Sequence, residues 1–214
     1  MDAHDERWHW LGARPALDFV NTRRERWRRD LETLRAPADL GDWLVAAGLL
    51  PEPMPVPRAV LREARDLREA IDQAAIAVVA GIEPDAAALE RIDGWLVHAG
   101  TRPRLVAGPD GLPALGERPP ADSPRRALGT IALDAATMLG TPAERERIRV
   151  CAAEDCSARF YDRSPAGARR WCSMRRCGNV AKARRHRERR REESGGAAAG
   201  AAPPRATPAR ESRP

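Results

Sequence analysis

Apolar residues recur at helical spacing through much of the first 140 positions of the chain. The clearest stretch runs from about Pro57 to Ala80 and is followed by Gly81, a residue typical of helix C-termini. Its apolar positions keep the 3.6-residue period: Val60, Leu61, Ala64, Leu67, Ile71, Ala75, Val78 and Val79. This pattern predicts one long helix with a buried face.

Shorter apolar repeats with capping residues predict four more helices. Two apolar segments, 104–106 and 112–115, flank the turn sequence 108–111 (Gly-Pro-Asp-Gly) and predict a small β-hairpin. The predicted helix starts are Pro15, Asp39 as an N-cap, Asp85, and Ser123-Pro124.

The pattern changes near residues 140–142 (Gly-Thr-Pro), where we place a domain boundary. Apolar and basic residues then alternate over 147–150, which indicates a short strand or a helix end leading to Cys151. From Ser194 the chain is mostly Gly, Ala, Pro and Arg, which bury too little surface to offset the entropy of ordering. The predicted parts are a helical domain over 1–140, a second domain over 141–193, and a disordered tail over 194–214.

Charge is unevenly distributed along the chain. Residues 1–150 carry 21 Lys and Arg against 24 Asp and Glu, a net of −3, whereas residues 151–193 carry 13 against 6, a net of +7. There is no apolar run of the roughly 18 residues that a membrane span needs, and the charged N-terminus is unlike a secretory signal. We therefore expect a cytoplasmic protein with reduced thiols and no membrane association.

All four cysteines lie in the basic region, as Cys151-x4-Cys156 and, fifteen residues later, Cys172-x4-Cys177. Two close pairs joined by a short loop suit one tetrahedral Zn²⁺. Four thiolates would close the coordination shell, so the metal is expected to be structural. Disulfides and unrelated buried thiols are the alternatives.

The segment 158–161 has strand character, and we expect Phe160 and Trp171 to form a small core beside the metal. Residues 177–179 (Cys-Gly-Asn) can lead into a helix. The predicted fold class is mainly α (α+β): a helical N-terminal domain with a small β-hairpin, then a treble-clef-like zinc finger with a basic helix.

Seven of the ten residues from Lys182 to Arg191 are Lys or Arg. Like charges four residues apart repel, and phosphates would relieve that repulsion; a solvated helix end or a disordered basic tail are the alternatives. We expect Val180 and Ala183 to pack inward. The candidate nucleic-acid contacts are Arg170, Lys182, Arg184, Arg185, Arg187, Arg189, Arg190 and Arg191, with Lys182, Arg185 and Arg189 facing outward.

Residues 170–174 (RWCSM) and 177–184 (CGNVAKAR) closely resemble the CGNR-type zinc finger, and 160–164 (FYDRS) fits it too. Residues 16–22 (ALDFVNT) and 38–49 are similar to the ABATE domain that usually precedes that finger. The resemblance implies a stress-associated bacterial transcription regulator with a DNA-binding finger. Val180 departs from it, because the naming motif has Arg there.

These observations favour a transcription regulator that binds DNA rather than RNA and senses an unknown small molecule or mediates assembly through its N-terminal domain. Arg14, Asp18 and Asn21 are the candidate ligand-binding residues. An RNA-binding or protein-adaptor zinc protein is an alternative, as is a treble-clef nuclease, although His186 is the only histidine in the last third. The chain has no nucleophile elbow, phosphate-binding glycine loop or HExxH motif, so we expect no enzymatic activity.

Overall fold

The computed structural model describes residues 7–100, 105–115 and 121–199, with side chains through residue 190. The chain divides into two compact units, one ending at Ser173 and the other beginning at Met174. The fold is mainly α with small antiparallel hairpins, as the sequence predicts. None of the helices in the described residues is both long and apolar enough to cross a membrane.

The first unit contains six helices among its described residues and three two-stranded hairpins. The helices are α1 (Pro15–Val20), α2 (Pro37–Ala46), α3 (Arg58–Ala80), α4 (Ala86–Leu96), α5 (Pro124–Gly140) and α6 (Pro142–Arg145). The strands are β1 (Arg23–Arg24), β2 (Leu31–Glu32), β3 (Leu105–Ala107), β4 (Pro113–Leu115), β5 (Ile148–Val150) and β6 (Arg159–Tyr161). Each hairpin pairs consecutive strands, β1 with β2, β3 with β4 and β5 with β6.

Helix α3 forms the centre of the core. Its buried face is the one that the 3.6-residue pattern predicts, apart from Val79, which is exposed, and it ends at Gly81 in the left-handed conformation with φ 69°. Helices α1, α4 and α5 contribute most of the remaining buried apolar residues, and Ile148 of β5 belongs to the same core cluster. The chain beyond residue 140 therefore contributes to the core of the helical part.

Two of the predicted helix starts have a side-chain cap, whereas the one predicted N-cap, Asp39, is wrong. Asp85 accepts a hydrogen bond from the backbone N–H of Ala87, and Ser123 accepts one from that of Arg126. Asp39 is not the N-cap of α2. The helix begins two residues earlier, at Pro37, and the Asp39 carboxylate accepts from the backbone N–H of Ala36 at 2.6 Å.

Over its described residues, the second unit contains a π-helical turn, Met174–Gly178, followed by α7, Asn179–Ala199. Helix α7 extends six residues into the segment that we predicted to be disordered from Ser194. Alanine at 197–199 favours the helical backbone. Residues 200–214 of the predicted tail lie outside the described residues.

Candidate metal centre and nucleic-acid interface

The four cysteine sulfurs come together in one cluster. Their Sγ atoms all lie within 4.8 Å of one another, and those of Cys156 and Cys172 are 3.8 Å apart. None of the four forms a disulfide. Four sulfurs placed 2.3 Å from one tetrahedral zinc are about 3.8 Å apart. The cluster is therefore positioned to bind one metal ion, and its donors fit zinc.

Backbone hydrogen bonds between short segments build the first cysteine pair. The N–H of Cys151 donates to the carbonyl of Ala158 at 2.9 Å and continues the β5–β6 ladder. The N–H of Cys156 donates to the carbonyl of Ala153, which closes a tight turn between the two cysteines. We call residues 151–157 the first knuckle.

Asp162 shapes the loop that brings Cys172 to the first knuckle. Its buried carboxylate accepts from the backbone N–H groups of Ser164, at 2.9 Å, and Arg169, at 2.8 Å. The N–H of Ala152 donates to the carbonyl of Arg170, two residues before Cys172. The loop is thus fixed at both ends by groups that need no metal.

The thiols are close enough to perturb one another. Hydrogen bonds from the neighbouring thiols lower the pKa of Cys151 below its ordinary value, and the same contacts raise that of Cys172. Like charges this close oppose full ionisation unless a cation compensates them. A divalent ion would allow all four thiolates to form, and with four sulfur ligands it would have no open position for catalysis.

The predicted small core beside the metal is present in part. Phe160 is buried, and the guanidinium of Arg169 lies 5.3 Å from its ring centroid. Trp171 is only half-buried, and Arg170 lies over its ring at 5.1 Å. An arginine therefore covers each ring. The guanidinium of Arg170, a candidate nucleic-acid contact, is held on this surface.

Asn21, one of the candidate ligand residues, joins α1 to the β5–β6 hairpin. Its side-chain amide donates to the carbonyl of Arg159 and accepts from the N–H of Arg159, both at 2.9 Å and both buried. Tyr161 in the same strand donates its N–H to the carbonyl of Gly12. The Asn21 amide thus hydrogen-bonds to the edge of β6 that does not face β5, as the backbone of a neighbouring strand would.

Arg14 and Asp18, the other two candidate ligand residues, also contact the protein itself. The Arg14 guanidinium binds Asp134 and Glu144 at 2.8 Å. Asp18 accepts from the backbone N–H of Gly12 at 2.7 Å, and burial raises its pKa to about 6. The candidate ligand residues thus make structural contacts within the protein, and their role in binding a ligand stays a prediction.

A buried network of ion pairs links α3 to both the β1–β2 and the β5–β6 hairpins. Arg159 lies with its Nε 2.7 Å from Asp72, and Arg26 bridges Asp72 and Glu69. Arg68, only 2% exposed, binds Glu32 through two nitrogens at 2.6 and 2.8 Å. The sequence analysis missed this network because its members are far apart in the chain. Each of them, taken alone, resembles an ordinary charged surface residue.

Helix α7 presents its basic side chains to solvent. The described candidates Lys182, Arg184, Arg185, Arg187, Arg189 and Arg190 are all exposed, whereas the side chain of Arg191 lies outside the described residues. The expected inward packing of Val180 and Ala183 is wrong: Val180 is 56% exposed and Ala183 is exposed as well. A helix with so few apolar residues has no face to bury.

A groove of about 720 Å³ opens between α3, α4, α5 and the C-terminal end of α6 with the residue that follows it. Most of its lining is apolar, and Asp93, Arg145 and Glu146 supply the charged groups. The volume is in the range of small-molecule sites. Sequence analysis did not identify this groove, because its lining residues come from four separate segments.

Comparison with known proteins gives two matches. Residues 13–142, more than half of the chain, match the family model ABATE, described as a putative stress-induced transcription regulator. Residues 147–190 match the model of the CGNR zinc finger. A search of curated proteins finds no match to the chain.

Proposed function

The chain belongs to the ABATE family, and on this premise we propose that it is a transcription regulator that binds DNA through its zinc finger and basic helix. The zinc is structural and holds the finger in shape. The helical N-terminal part senses a small molecule, and its state alters the affinity of the finger for DNA.

The observation that carries this proposal is the composition of α7 directly after the fourth cysteine. From Lys182 to Arg190 every described side chain is exposed, and only Ala183, His186 and Glu188 are not Lys or Arg. Core packing does not explain such a helix, because its described side chains from Lys182 to Arg190 are all exposed. Phosphates along a nucleic-acid backbone would compensate its charge and release counterions.

Two observations favour DNA over the alternatives. The family model is that of a transcription regulator, and a helix following a metal knuckle is a common way to enter the major groove. Neither family model is that of an enzyme, and a four-thiolate site leaves no coordination position for a nuclease reaction. RNA binding is an outcome that the experiment below distinguishes.

The groove supports the sensing role. Arg145 and Glu146 line it, β5 begins two residues later at Ile148, and Cys151 follows that strand directly. A ligand that displaces Arg145 or Glu146 would act six residues or fewer from the first metal ligand. An apolar small molecule of moderate size is the class that this lining fits.

The experiment measures the affinity of the zinc-loaded chain for duplex DNA over a range of salt concentrations. Five phosphate contacts would give a log–log slope of about −4.5. The triple variants K182Q/R185Q/R189Q and R184Q/R187Q/R190Q each remove three cations from α7. The control R58Q/R62Q/R91Q removes three exposed arginines from α3 and α4.

We expect each α7 variant to weaken binding and to make the slope shallower by up to about 2.7, at 0.9 per lost contact. The control should bind as the unmodified chain does. A slope near zero, or an equal loss in the control, would contradict the proposal. Tighter binding to RNA of the same sequence would favour the RNA-binding alternative. Sequencing DNA that co-purifies from cells would then identify the preferred sites.

A further inference from the structure

Strand β1 and the connection to β2, residues 23–30, have the sequence RRERWRRD, and we call this segment the β1–β2 loop. It contains five arginines against two acids, a local net charge of +3, within a segment of the chain whose total charge is negative. Glu25 and Asp30 both adopt positive φ, 49° and 50°, so the loop is a tight, defined turn. It is the most basic stretch of the first 150 residues, and averaging charge over that region conceals it.

Three contacts hold this loop on the first knuckle of the metal site. The backbone N–H of Arg26 donates to Ser157 Oγ at 3.1 Å, and Trp27 Nε1 donates to the carbonyl of Glu154 at 3.1 Å. Arg28 binds the Asp155 carboxylate at 2.7 Å. Consecutive loop residues thus contact the segment between the first two cysteines, which places a basic loop on the metal module itself.

The outer part of the loop is open to solvent. Trp27 is 53% exposed, and the side chains of Arg28 and Arg29 are 58% and 66% exposed. The buried Arg159 guanidinium lies 5.3 Å from the Trp27 ring, so the exposed part of the ring points away from the core. An indole fixed by its own N–H, beside two exposed guanidinium groups, is an arrangement suited to a sugar–phosphate backbone.

The acids that pair with these arginines are weak competitors for a phosphate. Arg28 pairs with Asp155 and Arg29 with Glu25, and each arginine side chain is more than half exposed, so water and salt screen both contacts. By contrast, Arg23 and Arg26 are the less exposed arginines, at 33% and 9%, and both bind Glu69 and fix the base of the loop. The loop therefore has a rigid base and an exchangeable basic tip.

We propose that the β1–β2 loop is a second DNA-contact site, in which Arg28 and Arg29 bind backbone phosphates and the exposed face of Trp27 packs against a deoxyribose. This inference rests on the proposed function. It extends the DNA-binding surface from the finger to the helical domain. Arg170, whose carbonyl binds Ala152 of the same knuckle, adds a further exposed cation to this surface.

The test compares full-length, zinc-loaded variants for duplex DNA affinity and salt dependence, with RNA of the same sequence as a parallel probe. R28Q/R29Q should weaken binding and make the log–log slope shallower by about 1.8, for two lost phosphate contacts. R28K/R29K keeps the charge and should restore most of the slope. The matched control is R62Q/R91Q, two exposed arginines on α3 and α4.

Asp155→Asn separates a DNA contact from a structural role. It removes an acid and frees Arg28, so DNA binding should tighten severalfold, whereas a loop that only supports the knuckle would lose affinity when this ion pair is broken. Trp27→Phe should retain more affinity than Trp27→Ala, because an aromatic face remains for the sugar. Zinc content and melting temperature are measured for every variant.

The outcomes for the loop and for α7 can be told apart. If the unmodified chain binds DNA, the α7 variants lose affinity and R28Q/R29Q behaves as its control, the loop proposal is overturned and the proposed function stands. Weaker binding by D155N, or an effect of R28Q/R29Q on RNA alone, also overturns it. An unmodified chain that binds no DNA overturns both.

Discussion

The pKa of Asp18, a residue of the segment 16–22 that resembles the ABATE domain, is set by its burial. Its carboxyl group is desolvated, so burial raises its pKa in the folded chain from the ordinary value of 3.8 to about 6. The folded state therefore holds the proton more tightly than the unfolded state, and the stability due to Asp18 is lost as pH rises from about 4 to 6.

We expect Asp18→Asn to raise the melting temperature at neutral pH and to flatten its pH dependence between pH 4 and 6. The amide oxygen can still accept from Gly12, and no charge remains to be desolvated. Thermal unfolding from pH 4 to 7.5 tests this, with Asp66→Asn, an exposed site on α3, as the control. A lower melting temperature at every pH would show that the charged form of Asp18 is the one that the fold requires.

Single residues also show the limits of sequence reasoning. The cysteine spacing was sufficient to predict the metal cluster, because four thiols so close in sequence can reach one ion. The orientation of Val180 was predicted wrongly, because the argument assumed that α7 buries a face. The pairing of Asn21 with Arg159 joins residues 138 positions apart, and no local pattern encodes it.

At the scale of elements, periodicity predicted the long helices well. Helix α3 starts within one residue of its predicted start, since its apolar face is continuous and Gly81 ends it. The predicted β3–β4 hairpin is confirmed over its described residues, 105–115. The β1–β2 hairpin was missed because strands of two residues are too short to show alternation, and ion pairs with α3 hold them in place.

Because the β5–β6 hairpin connects the metal site to the helical core, we expect loss of the metal to destabilise the helical domain as well. From sequence alone we would expect the helical domain to keep its melting temperature when a cysteine is replaced. The hairpin, however, carries Ile148 into the core and Arg159 to Asp72, and Cys151 continues its ladder.

We therefore expect Cys151→Ser, or zinc removal by a chelator, to lower the melting temperature of the helical domain, because metal binding energy contributes to folding. Circular dichroism at the helical minimum measures this, and adding zinc back should reverse the effect of the chelator but not that of the substitution. Two separate transitions, with the helical one unchanged, would show that the hairpin stays folded without metal.

At the scale of the whole molecule, the first compact unit extends past the residues at which the composition changes. The predicted boundary lies at residue 140, whereas the first compact unit continues to Ser173. The ABATE match ends at 142 and the zinc-finger match begins at 147, so family boundaries and packing differ. Whether 1–140 folds alone remains a prediction from the sequence, and the packing argues that it would be much less stable.

Two truncations test how far the folded unit extends. A chain ending at Gly140 loses Ile148 from the core and leaves Asp72 with Arg26 as its partner; removing one partner of a buried ion pair costs up to about 3–5 kcal/mol, and Arg26 reduces that cost here. A chain ending at Ser173 keeps both contacts but loses the second unit and, with it, the metal ligand Cys177, so the two truncations are compared without zinc. We expect the longer chain to unfold cooperatively at a higher urea concentration than the shorter one. Arg159→Met in the longer chain should reproduce much of the loss of stability seen in the shorter chain. Equal stability of the two truncations would show that residues 141–173 add nothing to the core, and that the network around Arg159 forms without contributing to folding.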